Sequence, residues 1–340
     1  MKKQILLLFL VLCCSCVHNA ETEIYQNKRD KMINIHDKIK EINIEEVLIG
    51  RSNQIRILGD FLIIGDYKAM DKLIHLFAKD RFSYITSTGY LGQGPGEIAN
   101  MGHIEANETD REFYVTDHGK QKIFSYNLDS VLINPSYMPR VKMELNEKQF
   151  PSEYKYINDT LCIGRIIMPM GNYGFKESVA KWNITTGAII PMKYEHPEIE
   201  KKRSALAVSV KNNMYAECYN YHDLMTICDL DGNIKYNVYG PKWDNETTNK
   251  ISYYGDVEFC NDKIIATYSG EESFIKSQNG QIESKLPTKF LVFDRNGNYI
   301  KTLETEYRII RFCYDEDNNR IIMSLNDDIQ FAYFDLDGLI

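Results

Sequence analysis

The sequence contains little proline and no long tract of glycine and serine. Proline accounts for only 9 of its 340 residues, which leaves little room for a flexible linker inside the folded part of the chain. An excess of positive charge is also missing, because 48 acidic residues outnumber 40 basic ones and give a formal net charge of −8. Nucleic-acid affinity depends on clustered lysine and arginine, so no nucleic-acid partner is expected.

Long hydrophobic runs are absent after residue 16. None reaches the roughly 18 apolar residues that a membrane-spanning helix needs, so we expect the rest of the chain to lie outside the membrane. Hydrophobic residues make up 44% of the sequence and charged residues 26%, a balance typical of a globular chain with a packed core. Length alone leaves one large domain or two smaller domains open.

The first sixteen residues have the features of an export signal. Lys2 and Lys3 precede a short apolar run over residues 5–12, as in the basic and hydrophobic regions of a signal peptide. The following segment, Leu12-Cys13-Cys14-Ser15-Cys16, resembles a bacterial lipobox in which Cys16 is the lipidated residue. We therefore predict a signal peptide at residues 1–15, a lipidated tether at residues 16–40, and an outer-membrane lipoprotein that faces the periplasm or the cell surface. Cleavage nearby without lipidation is the alternative.

Five cysteines remain after residue 16, and neither their number nor their spacing indicates pairing. An odd number cannot all form disulfides, and the sequence has no CxxC or cysteine–histidine ligand spacing. Each lies in an apolar, strand-like segment, so we expect buried free thiols. These residues are Cys162, Cys218, Cys228, Cys260 and Cys313.

A repeat fills the chain from residue 54 onward. Its clearest copy has three short segments, 102–107, 112–117 and 122–129, in which apolar and polar residues alternate as in antiparallel strands. The third segment of each unit ends in a turn such as Asp231-Gly232, whose residues accept a positive φ. The unit begins near six positions at steps of 48 to 55 residues: Gln54, Gly102, Ser152, Ala205, Tyr253 and Arg308. Repeats of this length with four strands each predict an all-β fold, the six-bladed β-propeller.

The two ends of the repeat region indicate how the ring closes. The last unit stops at Ile340 before a fourth strand, whereas a strand-like segment without a partner lies at residues 41–49. We predict that this N-terminal segment supplies the missing strand of the last blade, which removes the exposed edge of an open array. The propeller domain then spans residues 41–340. A β-sandwich or two stacked β domains is the alternative.

One segment carries a family resemblance. The sequence YLGQGPGEI at residues 90–98, followed by the segments 114–117 and 123–126, resembles a blade of the NHL type. With its lipobox and six repeats, the whole chain resembles the TolB-like six-bladed propeller lipoproteins of the Bacteroidetes. This resemblance implies a propeller fold and a place at the cell envelope, and it implies no particular activity.

The topology of a blade predicts which face carries the binding residues. Alternate strands reverse direction, so the connection between the second and third strands and the connection to the next blade emerge on one face, here called the long-loop face. Four long insertions fall there, at residues 90–101, 167–176, 241–252 and 271–287, and loops on a rigid scaffold often carry binding residues. The predicted contact residues are Met170, Tyr173, Phe175, Trp243, Tyr253, Tyr254 and Phe274, of types enriched at interfaces. Alternatively, these side chains fold back and cover the core.

Charged residues at the ends of second strands are predicted to form a ring around the central funnel. Asp66, Asp117, Arg165 and Asp327 occupy these positions. Such a ring of mixed charge could bind a peptide or a sugar. The simpler alternative is that these residues are strand ends exposed to solvent.

The sequence lacks the common catalytic motifs. It contains no GxSxG elbow, no HExxH motif and no Walker loop, and Asp229 with Asp231, or Asp315 with Asp317, lack the remaining ligands of a calcium loop. We therefore favour a monomeric, lipid-anchored binding module without a cofactor, whose partner is a protein, a peptide or a glycan at the long-loop face. The alternative is a metal-assisted propeller hydrolase, lactonase or lyase that uses funnel carboxylates and a divalent cation such as Ca²⁺.

Overall fold

The computed structural model describes residues 21–171, 174–246, 248–276 and 280–340. The predicted signal peptide and Cys16 lie outside the described residues. The chain begins with three short strands, β1 (Glu23–Tyr25), β2 (Met32–Asn34) and β3 (Lys40–Glu41), and a 3₁₀ turn at His36–Lys38.

Six four-stranded antiparallel units then follow one another along the chain, as the repeat predicts. Blade 1 consists of β4 (Asn53–Leu58), β5 (Phe61–Asp66), β6 (Lys72–Ala78) and β7 (Tyr84–Tyr90). Blade 2 consists of β8 (Met101–Asn107), β9 (Glu112–Asp117), β10 (Lys122–Asn127) and β11 (Arg140–Glu144), with helix α1 (Leu128–Ile133) before β11. Blade 3 consists of β12 (Phe150–Tyr156), β13 (Leu161–Pro169), β14 (Phe175–Asn183) and β15 (Ile189–Pro191).

The second half of the ring is built in the same way. Blade 4 consists of β16 (Ser204–Ser209), β17 (Met214–Tyr219), β18 (Leu224–Asp229) and β19 (Ile234–Tyr239). Blade 5 consists of β20 (Ile251–Cys260), β21 (Lys263–Glu272), β24 (Lys289–Asp294) and β25 (Tyr299–Glu304), with the inserted hairpin β22 (Phe274–Lys276) and β23 (Ile282–Ser284). Blade 6 consists of β26 (Ile309–Asp315), β27 (Arg320–Leu325) and β28 (Phe331–Asp335), and β3 completes it.

The ring closes through the N-terminal segment, as predicted, but with a shorter strand than expected. Lys40 pairs with Tyr333 and Glu41 pairs with Ala332, whereas the rest of the predicted strand, residues 42–49, leads into β4. The N-terminal segment and the last repeat therefore both contribute to blade 6, and the six-bladed β-propeller is confirmed.

The segment expected to be a tether is bound to the propeller over its described part. β1 pairs in parallel with β19, and β2 pairs in parallel with β25, so each forms a fifth, outermost strand. Ile35 is then fully buried in a core cluster of blades 5 and 6. The physical reason is that the outer strands of blades 4 and 5 have free edges, and an extended chain satisfies their unpaired groups.

The apolar core lies between neighbouring blades. Ile64 of blade 1 packs in one cluster with Ile322 of blade 6, and Val115 of blade 2 packs in another with Ile63 of blade 1. The five cysteines are all free and buried, as predicted, and they fill space as small apolar groups.

Several turns on the face opposite the long loops follow the local sequence, and the connection after β10 does not. Gly232 and Gly297 have φ of +79° and +80°, the left-handed conformation that glycine adopts without steric cost. After β10, where a tight hairpin turn was predicted, α1 forms instead because the Asn127 side chain accepts a hydrogen bond from the Ser130 N–H at 2.9 Å and so caps the helix.

Candidate functional site

The first strands of the six blades surround the centre of the ring. Each contacts the first strands of the neighbouring blades. Their apolar side chains, such as Ile55, Ile104 and Phe312, are fully buried, and the residues that alternate with them line the centre. A cavity of about 240 Å³ opens there, which we call the central cavity. Its wall consists of Gln54, Arg56, Tyr67, Met101, Gly102, His103, His118, Ser152, Glu153, Arg165 and Arg311.

Glu153 connects two arginines in this wall. One carboxylate oxygen lies 2.7 Å from the Arg165 guanidinium, and the other lies 3.6 Å from that of Arg56. Burial alone would raise the pKa of Glu153, but Arg165 and the other nearby cations outweigh burial and lower the pKa to about 2. Glu153 therefore remains ionised at any physiological pH.

Arg311 is less firmly held than the other two arginines. Its nearest carboxylate oxygen, on Asp256, is 3.8 Å away, and 43% of its side chain is accessible. Burial raises the pKa of Asp256 although Arg311 opposes this shift, as expected for a loose pair. Arg311 is thus the cavity arginine with the most freedom to meet a ligand.

Below the central cavity the channel narrows to a space of about 30 Å³. Lys155 lies 3.6 Å from a Glu105 oxygen, and His103 lies 3.3 Å from the other oxygen of Glu105. Leu206 of blade 4 contributes an apolar wall. Burial raises the pKa of Glu258, which also lines this space, to about 7. Glu258 is therefore the channel carboxylate whose charge changes near neutral pH.

The predicted funnel ring takes a different form. Asp66 and Asp117 are buried, with 2% and 0% of their area accessible. Asp66 accepts the N–H groups of Gly50 at 2.7 Å and Lys68 at 2.8 Å. Of the four predicted residues only Arg165 lines the central cavity. Asp66 thus ties the chain that enters blade 1 to the loop that follows β5, which is a structural role.

Asp117 and Asp327 act in the same way in blades 2 and 6. Asp117 accepts four backbone N–H groups at 2.8 to 3.2 Å, those of Ala99, Asn100, Gly119 and Lys120. Asp327 accepts the backbone N–H of Arg308 at 2.5 Å and the side-chain Nε–H of the same arginine at 2.9 Å. Hydrogen bonds to a charged acceptor are stronger than those between neutral groups, so these carboxylates stabilise the connections between blades.

Two of the predicted contact residues lie at a groove on the long-loop face. Met170 and Phe175 border a space of about 500 Å³ between the β13–β14 hairpin and the connection to blade 4. Met170 is 61% exposed and Phe175 is 39% exposed, and the Arg203 guanidinium lies 3.6 Å from the centre of the Phe175 ring. Tyr173 lies outside the described residues.

Other predicted contact residues are turned inward. Tyr253 and Tyr254 have only 5% and 2% of their area accessible, because both face apolar neighbours at the interface of blades 4 and 5. Trp243 is partly buried and packs on Tyr239, with ring centres 4.8 Å apart. The expectation of exposed contact groups is corrected for Tyr253 and Tyr254, where the alternative of core-covering side chains holds. Phe274 is 51% exposed on the β22–β23 hairpin.

The acidic turns considered for calcium hold their carboxylates in local contacts. Asp229 accepts the N–H groups of Asp231 and Asn233, both at 2.9 Å, and Asp315 pairs with Lys79 at 3.0 Å. Across the part of the chain that the structure describes, no group of three or more His, Cys, Asp or Glu side chains is arranged to hold a metal ion.

Sequence reasoning missed the charged residues of the first strands. Their signal is a charged residue at every second position of an otherwise apolar strand. It is visible in Glu153 and Lys155 of β12 and in Asp256 and Glu258 of β20. Alternation predicts only that these side chains share one side of a strand; closure of the ring turns that side toward the central channel.

Comparison with known proteins supports the fold. A family model described as a six-bladed beta-propeller, DUF5128, matches residues 21–160. No curated protein matches the sequence. A solved structure of a protein named as exported, from Bacteroides fragilis, is 12% identical with a TM-score of 0.56, covering 92% of this chain and 98% of its own.

Two further solved structures are similar. A member of the DUF4221 family from Bacteroides vulgatus is 10% identical with a TM-score of 0.57, covering 88% of this chain and 98% of its own. The beta-propeller domain of Cps50 (Swd1) from Myceliophteria thermophila is 10% identical with a TM-score of 0.52, covering 87% of this chain and 99% of its own. At these identities the likeness concerns the fold alone, so the comparisons support a β-propeller and assign no activity.

Proposed function

We propose that this chain is an exported, lipid-anchored β-propeller that binds a peptide, a protein or a glycan through its long-loop face, as a monomer. The observation that carries this proposal is the central cavity, a polar space of about 240 Å³ lined by residues of different blades. Concave sites with a few convergent polar groups are the usual places for ligands. Tyr67 and His118, which follow β5 and β9 directly, belong to its wall, so the cavity opens toward the long-loop face.

The envelope location rests on the N-terminal sequence. The lipobox resemblance at Cys16 and the likeness to TolB-like lipoproteins support an outer-membrane anchor, facing the periplasm or the cell surface. A solved relative of the same fold, from Bacteroides fragilis, is named as exported. In the described residues, no helix is long and apolar enough to cross a membrane.

The experiment uses residues 16–340 with Cys16→Ser, here called the unlipidated chain. This protein is applied to peptide arrays and glycan arrays, together with two long-loop variants: Phe175→Ala at the groove, and Arg311→Gln in the central cavity that opens toward that face. The matched control is Arg295→Gln, because Arg295 lies in the turn between β24 and β25, which leaves blade 5 on the opposite face.

Binding that either long-loop variant weakens and Arg295→Gln leaves intact is the expected result. An array ligand whose binding is weakened only by Arg295→Gln would place the site on the wrong face and overturn the proposal. For the anchor, labelled fatty acid should be incorporated into the full chain and not into its Cys16→Ser variant.

A further inference from the structure

Three arginines from three blades meet at the central cavity. Arg56 comes from β4, Arg165 from β13 and Arg311 from β26, and all three line the same space. Their side chains keep 15%, 23% and 43% of their area accessible, although they lie at the centre of the ring. A side chain at the centre of the molecule keeps such partial accessibility when it faces an internal cavity.

The donors in this cavity exceed the acceptors that the protein supplies. Three guanidinium groups carry about fifteen N–H donors. Arg56 donates to the Ile55 carbonyl at 2.9 Å and Arg165 donates to the Ser204 carbonyl at 2.5 Å. The Arg165 Nε is buried without a hydrogen-bond partner among the described residues, an unsatisfied donor of the kind that native proteins rarely keep.

The acceptors near these donors are largely committed. Both oxygens of Glu153 face guanidinium groups, at 2.7 and 3.6 Å. Asp256 lies beyond hydrogen-bond distance of Arg311, at 3.8 Å, and its other oxygen receives the Phe312 N–H at 3.4 Å. One oxygen of Glu177 lies 3.7 Å from Arg165, and the other receives the Ser204 N–H at 2.9 Å. The N–H donors of the three arginines therefore outnumber the carboxylate oxygens that face them.

We propose that the central cavity binds the carboxylate group of a small organic acid or of a chain end. The planar fork of a guanidinium matches a carboxylate with two parallel hydrogen bonds. Arg311, the most accessible of the three, makes the first contact, and Arg56 and Arg165 belong to the same wall. This inference rests on the proposed function and deepens it, because it names the chemical group that the site recognises.

The charge of the cavity selects for a single negative charge. Three carboxylates lie at 2.7 to 3.8 Å from the three arginines, those of Glu153, Glu177 and Asp256, so the group as a whole is close to neutral. A carboxylate adds one negative charge beside these three carboxylates, whereas a phosphate dianion adds two and is repelled more strongly. The carboxylate is therefore favoured over phosphate.

The test measures binding of matched probes to the unlipidated chain by saturation-transfer NMR and calorimetry. The probes are N-acetyl-triglycine as the free acid and as the amide, D-glucuronate and D-glucose, and inorganic phosphate. The free acid or glucuronate should bind more tightly than its neutral counterpart, and more tightly than phosphate. Arg311→Gln should weaken that binding about tenfold or more, because a charge-assisted pair is lost.

Two controls separate recognition from damage to the fold. Arg51→Gln removes an arginine that lies outside the cavity and donates to Asn326 at 2.8 Å, and this variant should bind the acid like the parent. Arg311→Lys keeps the charge without the fork and should bind with intermediate affinity. Preference for the peptide acid or for glucuronate identifies the source of the carboxylate, and either one supports the proposal.

Equal binding of acid and neutral probes, tighter binding of phosphate, or acid binding unchanged in Arg311→Gln would overturn the carboxylate site. The proposed function would survive such a result if an array ligand still bound in a way that depends on the long-loop face and that neither acid displaced. If the unlipidated chain binds neither an array ligand nor a free acid, both proposals are contradicted.

Discussion

Arg29 of the N-terminal segment donates a hydrogen bond to the Asp223 carboxylate of blade 4 at 2.9 Å, and both side chains are almost fully buried, with 5% and 0% accessible. Three aromatic rings on blade 5 surround the same guanidinium at 5.4 to 5.8 Å: Tyr254, Tyr268 and Phe293. Cations over aromatic faces are stabilised further when they are desolvated. Arg29 thus joins the N-terminal segment to the interface of two blades.

Replacing Arg29 should destabilise the propeller strongly. In Arg29→Met the Asp223 carboxylate stays buried without its cation, and breaking a buried pair in this way costs about 3–5 kcal/mol. The free energy of unfolding, measured with urea on the unlipidated chain, should fall by that order. Lys28→Met is the control, because 76% of the Lys28 side chain is accessible, and exposed pairs contribute about 0–1 kcal/mol. Equal stability of the two variants would contradict a locking role for Arg29.

Removing the Asp117 carboxylate should loosen the connection between blades 1 and 2. Asp117→Ala leaves four backbone N–H groups without their acceptor, and the expected loss is about 2–3 kcal/mol. Asp80→Ala, at a carboxylate that is 67% accessible, should change the free energy of unfolding by less than about 0.5 kcal/mol. Hydrogen exchange checks the location: the amides of Asn100 and Gly119 should exchange faster in Asp117→Ala, and unchanged exchange would contradict this role.

The stability of the protein should depend on the ionisation of Glu258. Burial raises its pKa from 4.5 to about 7, so the folded state binds this proton more tightly than the unfolded chain does. The associated stability is fully present below pH 4.5 and is lost as the pH rises through 7.

Comparison with Glu258→Gln isolates this effect, because the other titrating groups are common to both proteins. Relative to this variant, the parent should lose about 3 kcal/mol of unfolding free energy between pH 4.5 and pH 8. Urea unfolding across that range measures the difference. The control is Glu283→Gln on the exposed strand β23, which makes the same substitution at a solvent-exposed position. A parallel pH dependence of the parent and Glu258→Gln would contradict the prediction.

The five cysteines of the unlipidated chain should be unreactive until the protein unfolds. All five are buried, and burial raises the pKa of the Cys228 thiol to about 12, which suppresses the reactive thiolate. A thiol reagent such as DTNB should label none in the native state and all five in guanidinium chloride. Rapid labelling of one native thiol would show that the blade around it opens.

Local patterns in the sequence determined the blades. The alternation in segments such as 112–117 and turns such as Asp231-Gly232 depend only on neighbouring residues, because the period of a strand and positive φ are local properties. The steps of 48 to 55 residues between units then predicted six blades of four strands, and the structure has the same arrangement.

The position of the site was only partly predictable. The sequence predicted a long-loop face and named Arg165, which lines the central cavity, but it placed Asp66, Asp117 and Asp327 around a funnel where they in fact accept backbone N–H groups. A strand end gives no indication of which amides it will approach. Burial of Tyr253 and Tyr254 was equally invisible, because it depends on the packing of blade 5 against blade 4.

The sequence by itself therefore determined the propeller, its closure at blade 6 and the buried free thiols. Only the tertiary structure decided that Arg56, Arg165 and Arg311 meet in one cavity and that Arg29 reaches Asp223 across 194 residues of sequence. The reason is physical: strand periodicity acts between neighbours in the chain, whereas convergence at the centre and docking at an outer edge arise only when six distant repeats close into a ring.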